Sequence, residues 1–199
     1  MRIGLLGGSF DPIHNAHTAL ALAALKMRNL DEVQLIPAGQ PWQKPALHAT
    51  PAQRAAMIEL AIEGFAGLSI NRVELERSGA TYTIDTLENL SREHTYDWIL
   101  GADQLANFCS WHRWQDIAQR VTLLVAARPD VTQQIPDPLR AQIDQGLARV
   151  EFLPFAPMHI SASELRKRIA SGQPYNELVA TAVAEYIRQQ KLYVNPGQE

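Results

Sequence analysis

The chain has 199 residues, 46% of them hydrophobic, and a formal net charge of −3 at pH 7. A domain of this length buries about 70% of the surface of its unfolded chain, and such a composition excludes wholesale disorder. The acidic balance excludes the clustered Lys and Arg of a non-specific nucleic-acid binder, whereas a nucleotide ligand needs only a few well-placed cations.

In chain order, residues 2–6 form a short apolar strand, and residues 19–30, rich in helix formers, form a helix. Residues 33–37 read as the next strand, and residues 38–49, with Gly39, Pro41 and Pro45, as a loop. Thr50-Pro51-Ala52-Gln53 carries two helix-start signals, a capping box and a proline in the first turn, so a helix is expected to run to about Glu63 and stop near Gly64. Strands are expected over 68–75, 98–100, 122–127 and 150–153, and helices over 83–93, 163–171 and 178–190. The strands are continuously apolar rather than alternating, as required when helices cover both faces. The β-α rhythm therefore predicts an α/β fold with a doubly wound parallel sheet. No composition break marks a second domain, so residues 1–199 are read as one domain with the C-terminal helices, about 160–192, packed on it. No apolar run reaches the roughly 18 residues of a membrane span, and the run at 3–6 is too short for a signal-peptide core. The single Cys109 cannot form an internal disulfide. A cytoplasmic protein with no membrane partner is expected, as a monomer or a small homo-oligomer.

Ligands of such sheets sit at the carboxyl ends of the strands. Residues 7–17, Gly-Gly-Ser-Phe-Asp-Pro-Ile-His-Asn-Ala-His, lie just after the first strand. A connecting turn accounts for the glycines and for Asp11-Pro12. The same residues suit an anion: glycine lets the backbone approach phosphate, and a helix N-terminus presents free N–H groups. His14 and His17, three apart, share a helix face. The spacing is not G-x-G-x-x-G, and no P-loop lysine follows. A metal pair needs a third ligand, and no His, Cys or carboxylate lies nearby on that pattern. A phosphate cradle is the preferred reading.

Residues 160–166, Ile-Ser-Ala-Ser-Glu-Leu-Arg, open a helix. Ser161 and Glu164 fit a capping box. Ser163 and Arg166 remain, and a hydroxyl and a guanidinium beside open N–H groups would make a second phosphate cradle. Two cradles suit a polyphosphate.

The first loop resembles the G-x-F-x-P-x-H-x-G-H motif of the HIGH-type nucleotidyltransferase superfamily, and residues 160–166 resemble its I-S-S-T-x-x-R motif. Ala16 stands where many members have glycine, and Ala162-Ser163 replaces Ser-Thr. Residues 80–87, Ala-Thr-Tyr-Thr-Ile-Asp-Thr-Leu, are similar to the S-Y-T-x-x-T-L motif of the nicotinate-mononucleotide adenylyltransferase family. Gly101, Asp103, Phe108 and Trp111 match its G-x-D-x-x-x-x-F-x-x-W motif. The resemblance spreads from Gly7 to Arg168.

This resemblance implies a Rossmann-like nucleotidyltransferase fold. The implied reaction is adenylyl transfer from ATP to nicotinate mononucleotide, giving deamido-NAD and pyrophosphate in NAD biosynthesis. His14, His17 and Arg166 take the catalytic role. Gly7, Gly8, Ser9, Phe10, Lys44, Asp103, Ser161 and Ser163 serve ATP and its phosphates, with Asp103 on the adenosine side. Tyr82, Thr83, Trp111 and His112 serve the mononucleotide, with Trp111 stacked on the pyridine and N–H groups near Thr83 and His112 receiving the carboxylate. Trp111 and Trp114 also fit a core stripe, and Asp103 a helix cap. Gln43 stands where the family has histidine before Lys44, and Arg128 either adds a cation or braces a strand end. Mg²⁺ is expected to be held by substrate phosphates and water, with no protein metal site. The alternatives are another HIGH-type enzyme, such as a pantetheine-phosphate adenylyltransferase, or a nucleotide-binding regulator without turnover.

Overall fold

Successive residues of the central strands point to opposite sides of the sheet, and both sides are apolar. Leu6, Ile99 and Leu124 enter one core together with Met57, Leu165 and Val183, while Leu5, Leu100 and Leu123 enter the other with Ile84, Leu105 and Ile117. This two-sided burial explains the unbroken apolar runs of the sequence.

The computed structural model describes residues 1–41, 47–77, 79–128, 133–156 and 158–194. Its elements are β1 (Arg2–Gly8), α1 (Asn15–Met27), β2 (Glu32–Pro37), β3 (Gln40–Pro41), α2 (Pro51–Ile62) and β4 (Leu68–Ile70). Then follow β5 (Ala80–Thr81), α3 (Thr83–Glu88), β6 (Thr95–Gly101), α4 (Ala102–Ala106), α5 (Trp114–Arg120) and β7 (Thr122–Ala127). The chain continues through α6 (Asp137–Asp144), β8 (Arg149–Pro154), α7 (Ala162–Ala170) and α8 (Thr181–Gln189). Six strands form a parallel sheet in the order β4-β2-β1-β6-β7-β8, and β3 pairs with β5 in a separate parallel ribbon. The chain winds outward from β1 through β2 to β4, then restarts at β6 on the other side of β1. A crevice opens where the order reverses, at the carboxyl ends of β1 and β6.

Thr50 caps α2 as expected: its Oγ1 accepts from Gln53 N at 3.3 Å, and Gln53 Oε1 accepts from Thr50 N at 2.9 Å. Three expectations are corrected. The strand read over 68–75 ends at Ile70, because Val73 N–H turns to Asn71 Oδ1 (3.1 Å) and Leu75 N–H to the Arg72 carbonyl (2.8 Å). The helix read over 83–93 ends at Glu88, where the Asn89 amide donates back to the Asp85 carbonyl at 2.7 Å. The helix read over 19–30 begins earlier, at Asn15, and stops at Met27. Helices α4, α5 and α6 are too short and too polar to stand out by periodicity, and they were not anticipated.

Candidate active site

The first loop leaves β1 at Gly8. Gly7 is required by close approach: a Cβ there would lie 2.9 Å from the indole of Trp98 on β6. Phe10 adopts a left-handed backbone (φ 46°), and its buried ring packs edge-on to His17 with centroids 4.9 Å apart. His14 occupies the N-cap of α1 in extended conformation, so His17 falls one turn later and the two rings stack at 3.8 Å. The shared face expected from their spacing is present.

The two imidazoles differ in their surroundings. His14 N–H donates to His17 Nδ1 at 3.2 Å, which assigns the His17 proton to Nε2 and makes that atom a donor. His17 lines the cavity, while His14 is buried behind it. Burial pulls the His14 pKa down from 6.5 to about 4, so its ring is neutral at pH 7. The buried Nδ1 of His14 has no hydrogen-bond partner among the described residues.

The second motif reaches the same loop from another side. Ser161 caps α7, accepting from Glu164 N at 3.2 Å. The expected reciprocal half of the capping box is missing, because the Glu164 carboxylate pairs with Arg168 at 3.3 Å. Leu165 and Ile169 anchor α7 in the core, leaving Arg166 to turn toward the loop. Its Nη1 donates to the Asp11 carbonyl at 2.7 Å, and its Nη2 to Ser163 Oγ at 3.3 Å.

A cavity of about 390 Å³ occupies the crevice. Gly8, Ser9 and His17 form one side; Thr83, Trp111 and His112 form another. Trp111 is half-buried, edge-on to Trp98 with centroids 6.4 Å apart. Trp111 and Trp114 both pack on Phe108, with centroids 5.4 and 6.1 Å away, so the core-stripe reading holds for both, and Trp111 also lines the cavity. His112 is exposed beside Tyr82, 4.7 Å between centroids. The next residue, Arg113, is left-handed (φ 53°) and ion-paired with Glu88 (3.0 Å) and Asp116 (2.6 Å), which turns the chain sharply at this rim.

Of the residues expected at the site, Gly7, Gly8, Ser9, His17, Tyr82, Thr83, Trp111 and His112 line the cavity. Phe10 and His14 are buried, and neither they nor Ser161, Ser163 and Arg166 are among the residues that line it. Asp103 is exposed at the second position of α4, between Gly101 and Gln104 of the cavity lining but not itself part of that lining, and Gly101 rather than Asp103 occupies the N-cap. Arg128 is exposed at the end of β7. Lys44, with Trp42 and Gln43, lies outside the described residues.

Sequence reasoning missed three charged residues beneath the site. Asp11, read as a turn residue, is buried, and its carboxylate accepts from the backbone N–H groups of His48 (2.8 Å) and Ala49 (3.0 Å) and from the Tyr193 hydroxyl (2.8 Å). Arg54, 1% exposed, donates to the Ser9 carbonyl at 2.9 Å. Burial lowers its pKa, and the field of Asp11 opposes that shift. Its position was detectable, since Arg54 stands four and seven residues before Ile58 and Ala61 on the apolar face of α2. Glu74 is buried on the cavity wall and accepts from Thr86 Oγ1 at 2.7 Å. Burial raises its pKa against that hydrogen bond. Gly39 packs on the same turn: a Cβ there would lie 2.2 Å from the Glu74 carbonyl oxygen. Within the charged stretch Arg72 to Arg77, Glu74 gives no sign of this.

His17 and the N–H groups of the loop offer donors, a set that suits phosphate oxygens better than a hard cation. Among the described residues, no group of three or more His, Cys, Asp or Glu is placed to hold a metal, and no helix is long and apolar enough to cross a membrane.

Comparison with known proteins places these features in a family. The cytidylyltransferase-like family model matches residues 5–168. A Bordetella avium (strain 197N) protein named "Probable nicotinate-nucleotide adenylyltransferase" is 52% identical over 193 residues, covering 96% of this chain and 98% of the relative. A Pseudomonas putida (strain GB-1) protein of the same name is 35% identical over 211 residues, covering 98% and 96%. Among solved structures, Plasmodium falciparum nicotinic acid mononucleotide adenylyltransferase complexed with NaAD superposes with a TM-score of 0.76 at 20% identity, covering 96% of this chain and 97% of that one. That last likeness shows the fold.

Proposed function

Because the chain belongs to the nicotinate-nucleotide adenylyltransferases within the cytidylyltransferase-like family, we infer that its cavity joins ATP to nicotinate mononucleotide. A phosphate oxygen of the mononucleotide attacks the α-phosphorus of ATP, the bond from that phosphorus to the bridging oxygen breaks, and pyrophosphate leaves. The products are nicotinate adenine dinucleotide and pyrophosphate. The observation that carries this reading is one cavity at the β1–β6 crevice, with His17 on one side and Trp111 and Thr83 on another.

The nucleophile is already ionised, so no general base is needed. The catalytic task is to bring two anions together and to stabilise charge on the α-phosphate and the departing pyrophosphate. His17 Nε2, held as a donor by the bond from His14 N–H, meets that charge. Neutral His14 adds a donor or acceptor without a fixed charge. Arg166 supplies charge-assisted donors beyond the two that tether it to Asp11 and Ser163. The backbone of Gly7 to Phe10, with Ser161, Ser163 and Lys44, completes the phosphate contacts, and Asp103 contacts the adenosine side. On the other side, Trp111 stacks on the pyridine, Tyr82 flanks it, and N–H groups near Thr83 and His112 receive the carboxylate. Mg²⁺ would be held by the nucleotide phosphates and water and not by these donors, and it would supply neutralisation of charge on the phosphate oxygens. The water-soluble substrates and the single cysteine suit the cytoplasm.

The test is pyrophosphate release from ATP with nicotinate or nicotinamide mononucleotide. Donors arranged for a carboxylate are poorly matched by an amide, and a hydrogen bond to a charged group is worth about 1.5–3 kcal/mol, so kcat/KM is expected to favour nicotinate by about 10- to 150-fold. Equal efficiency, or no release with either, rejects the reading.

A further inference from the structure

The loop carrying the histidines is fixed from beneath by a residue close to the end of the chain. Asp11 is 1% exposed, and three donors meet its carboxylate. Two are backbone amides, of His48 and Ala49. The third is the only side chain of the three, the Tyr193 hydroxyl, 182 positions away in sequence. Tyr193 has a left-handed backbone (φ 64°), a conformation disfavoured for a bulky residue. It is held there by its neighbours: Leu192 is buried in the core beside α8, and Leu192 N–H donates to the Ile187 carbonyl at 3.0 Å. Burial, reinforced by the Asp11 carboxylate, pushes the Tyr193 pKa up, so the hydroxyl stays protonated and keeps donating. The same Asp11 peptide offers its carbonyl to Arg166.

We propose that Tyr193 is a positioning residue for adenylyl transfer: by fixing Asp11 it fixes the carbonyl that aims Arg166 at the phosphates. This inference rests on the function proposed above. The pyridine side of the cavity, at Thr83 and Trp111, lies outside this network. Loss of the hydroxyl therefore acts on the rate and not on capture of the mononucleotide.

Tyr193→Phe removes only the hydroxyl. Small misplacement of a catalytic group costs up to about 100-fold, so kcat is expected to fall about 10- to 100-fold with KM for nicotinate mononucleotide changed less than about twofold. In an Arg166→Ala background the same substitution is expected to leave kcat unchanged, because the group it positions is gone. Equal kcat losses in both backgrounds, or a lower Tm with normal kcat, overturn the proposal. If Tyr193→Phe does not fold, Asp11→Asn serves instead, with a kcat loss expected only when Arg166 is present and an additive loss overturning the idea. Wild-type turnover in the same assay separates the two readings. An inactive wild type rejects both, and an active wild type with an unaffected Tyr193→Phe rejects this inference alone.

Discussion

The Arg166 guanidinium donates to the backbone carbonyl of Asp11 at 2.7 Å, joining positions 155 residues apart. The bond brings the helix start at residues 161–166 against the loop that follows β1. The bond runs from a side chain to a main-chain oxygen, so it reports where the Asp11 peptide lies and not which side chain Asp11 carries.

The first expectation separates the two residues that open α7. Arg166→Ala is expected to reduce kcat strongly with little change in Tm. Ser161→Ala removes the N-cap acceptor for Glu164 N and is expected to cost about 0.5–2 kcal/mol of stability. Urea melts alongside steady-state assays decide the matter. A Ser161→Ala protein of normal stability and collapsed turnover would make Ser161 a phosphate ligand and not a cap.

For the histidine pair, His17→Ala and His14→Ala are each expected to lower kcat by about 10²–10³-fold, the usual cost of losing one preorganised donor to transition-state charge. Circular dichroism should report a native fold for both. Near-normal turnover of either variant returns that histidine to a structural role.

The proposed stacking of the pyridine is tested at Trp111. Stacking on an aromatic side chain is worth about 1–3 kcal/mol in single-strand nucleic-acid sites. By analogy, Trp111→Ala is expected to raise KM for nicotinate mononucleotide by roughly 5- to 150-fold, leave KM for ATP nearly unchanged, and be partly rescued by Trp111→Phe. An effect confined to ATP would falsify the assignment.

Stability is expected to depend on pH through His14. The unfolded side chain binds a proton near pH 6.5 and the folded one only near pH 4, so between these values the unfolded state holds more protons. The contribution is complete above about pH 6.5 and is lost as the pH falls toward 4, by up to about 1.4 kcal/mol per pH unit. Replacing His14 with Asn is expected to flatten this part of the profile of unfolding free energy. Identical slopes for wild type and variant over pH 4–6.5 would contradict the buried neutral imidazole.

The sequence by itself determined the parallel doubly wound sheet, because two-sided burial leaves unbroken apolar strands such as Leu123 to Val125. It also determined the start of α2 and the pairing of His14 with His17, since capping and one-turn spacing are local properties. Motif spacing located the residues that line the cavity from β1, α3 and the loop before α5. What only the tertiary structure decided is which polar and charged groups are buried around that cavity. Asp11, Arg54, Glu74 and Tyr193 come from four segments, and their burial and hydrogen bonds exist only once the sheet order brings those segments together. The short helices α4 to α6 escaped for a related reason. With few turns of periodic pattern, they are held by packing against the sheet and not by propensity. The choice between Trp111 and Trp114 was tertiary as well: two aromatic rings three residues apart carry the same local signal, both pack on Phe108, and of the two it is Trp111 that also lines the cavity.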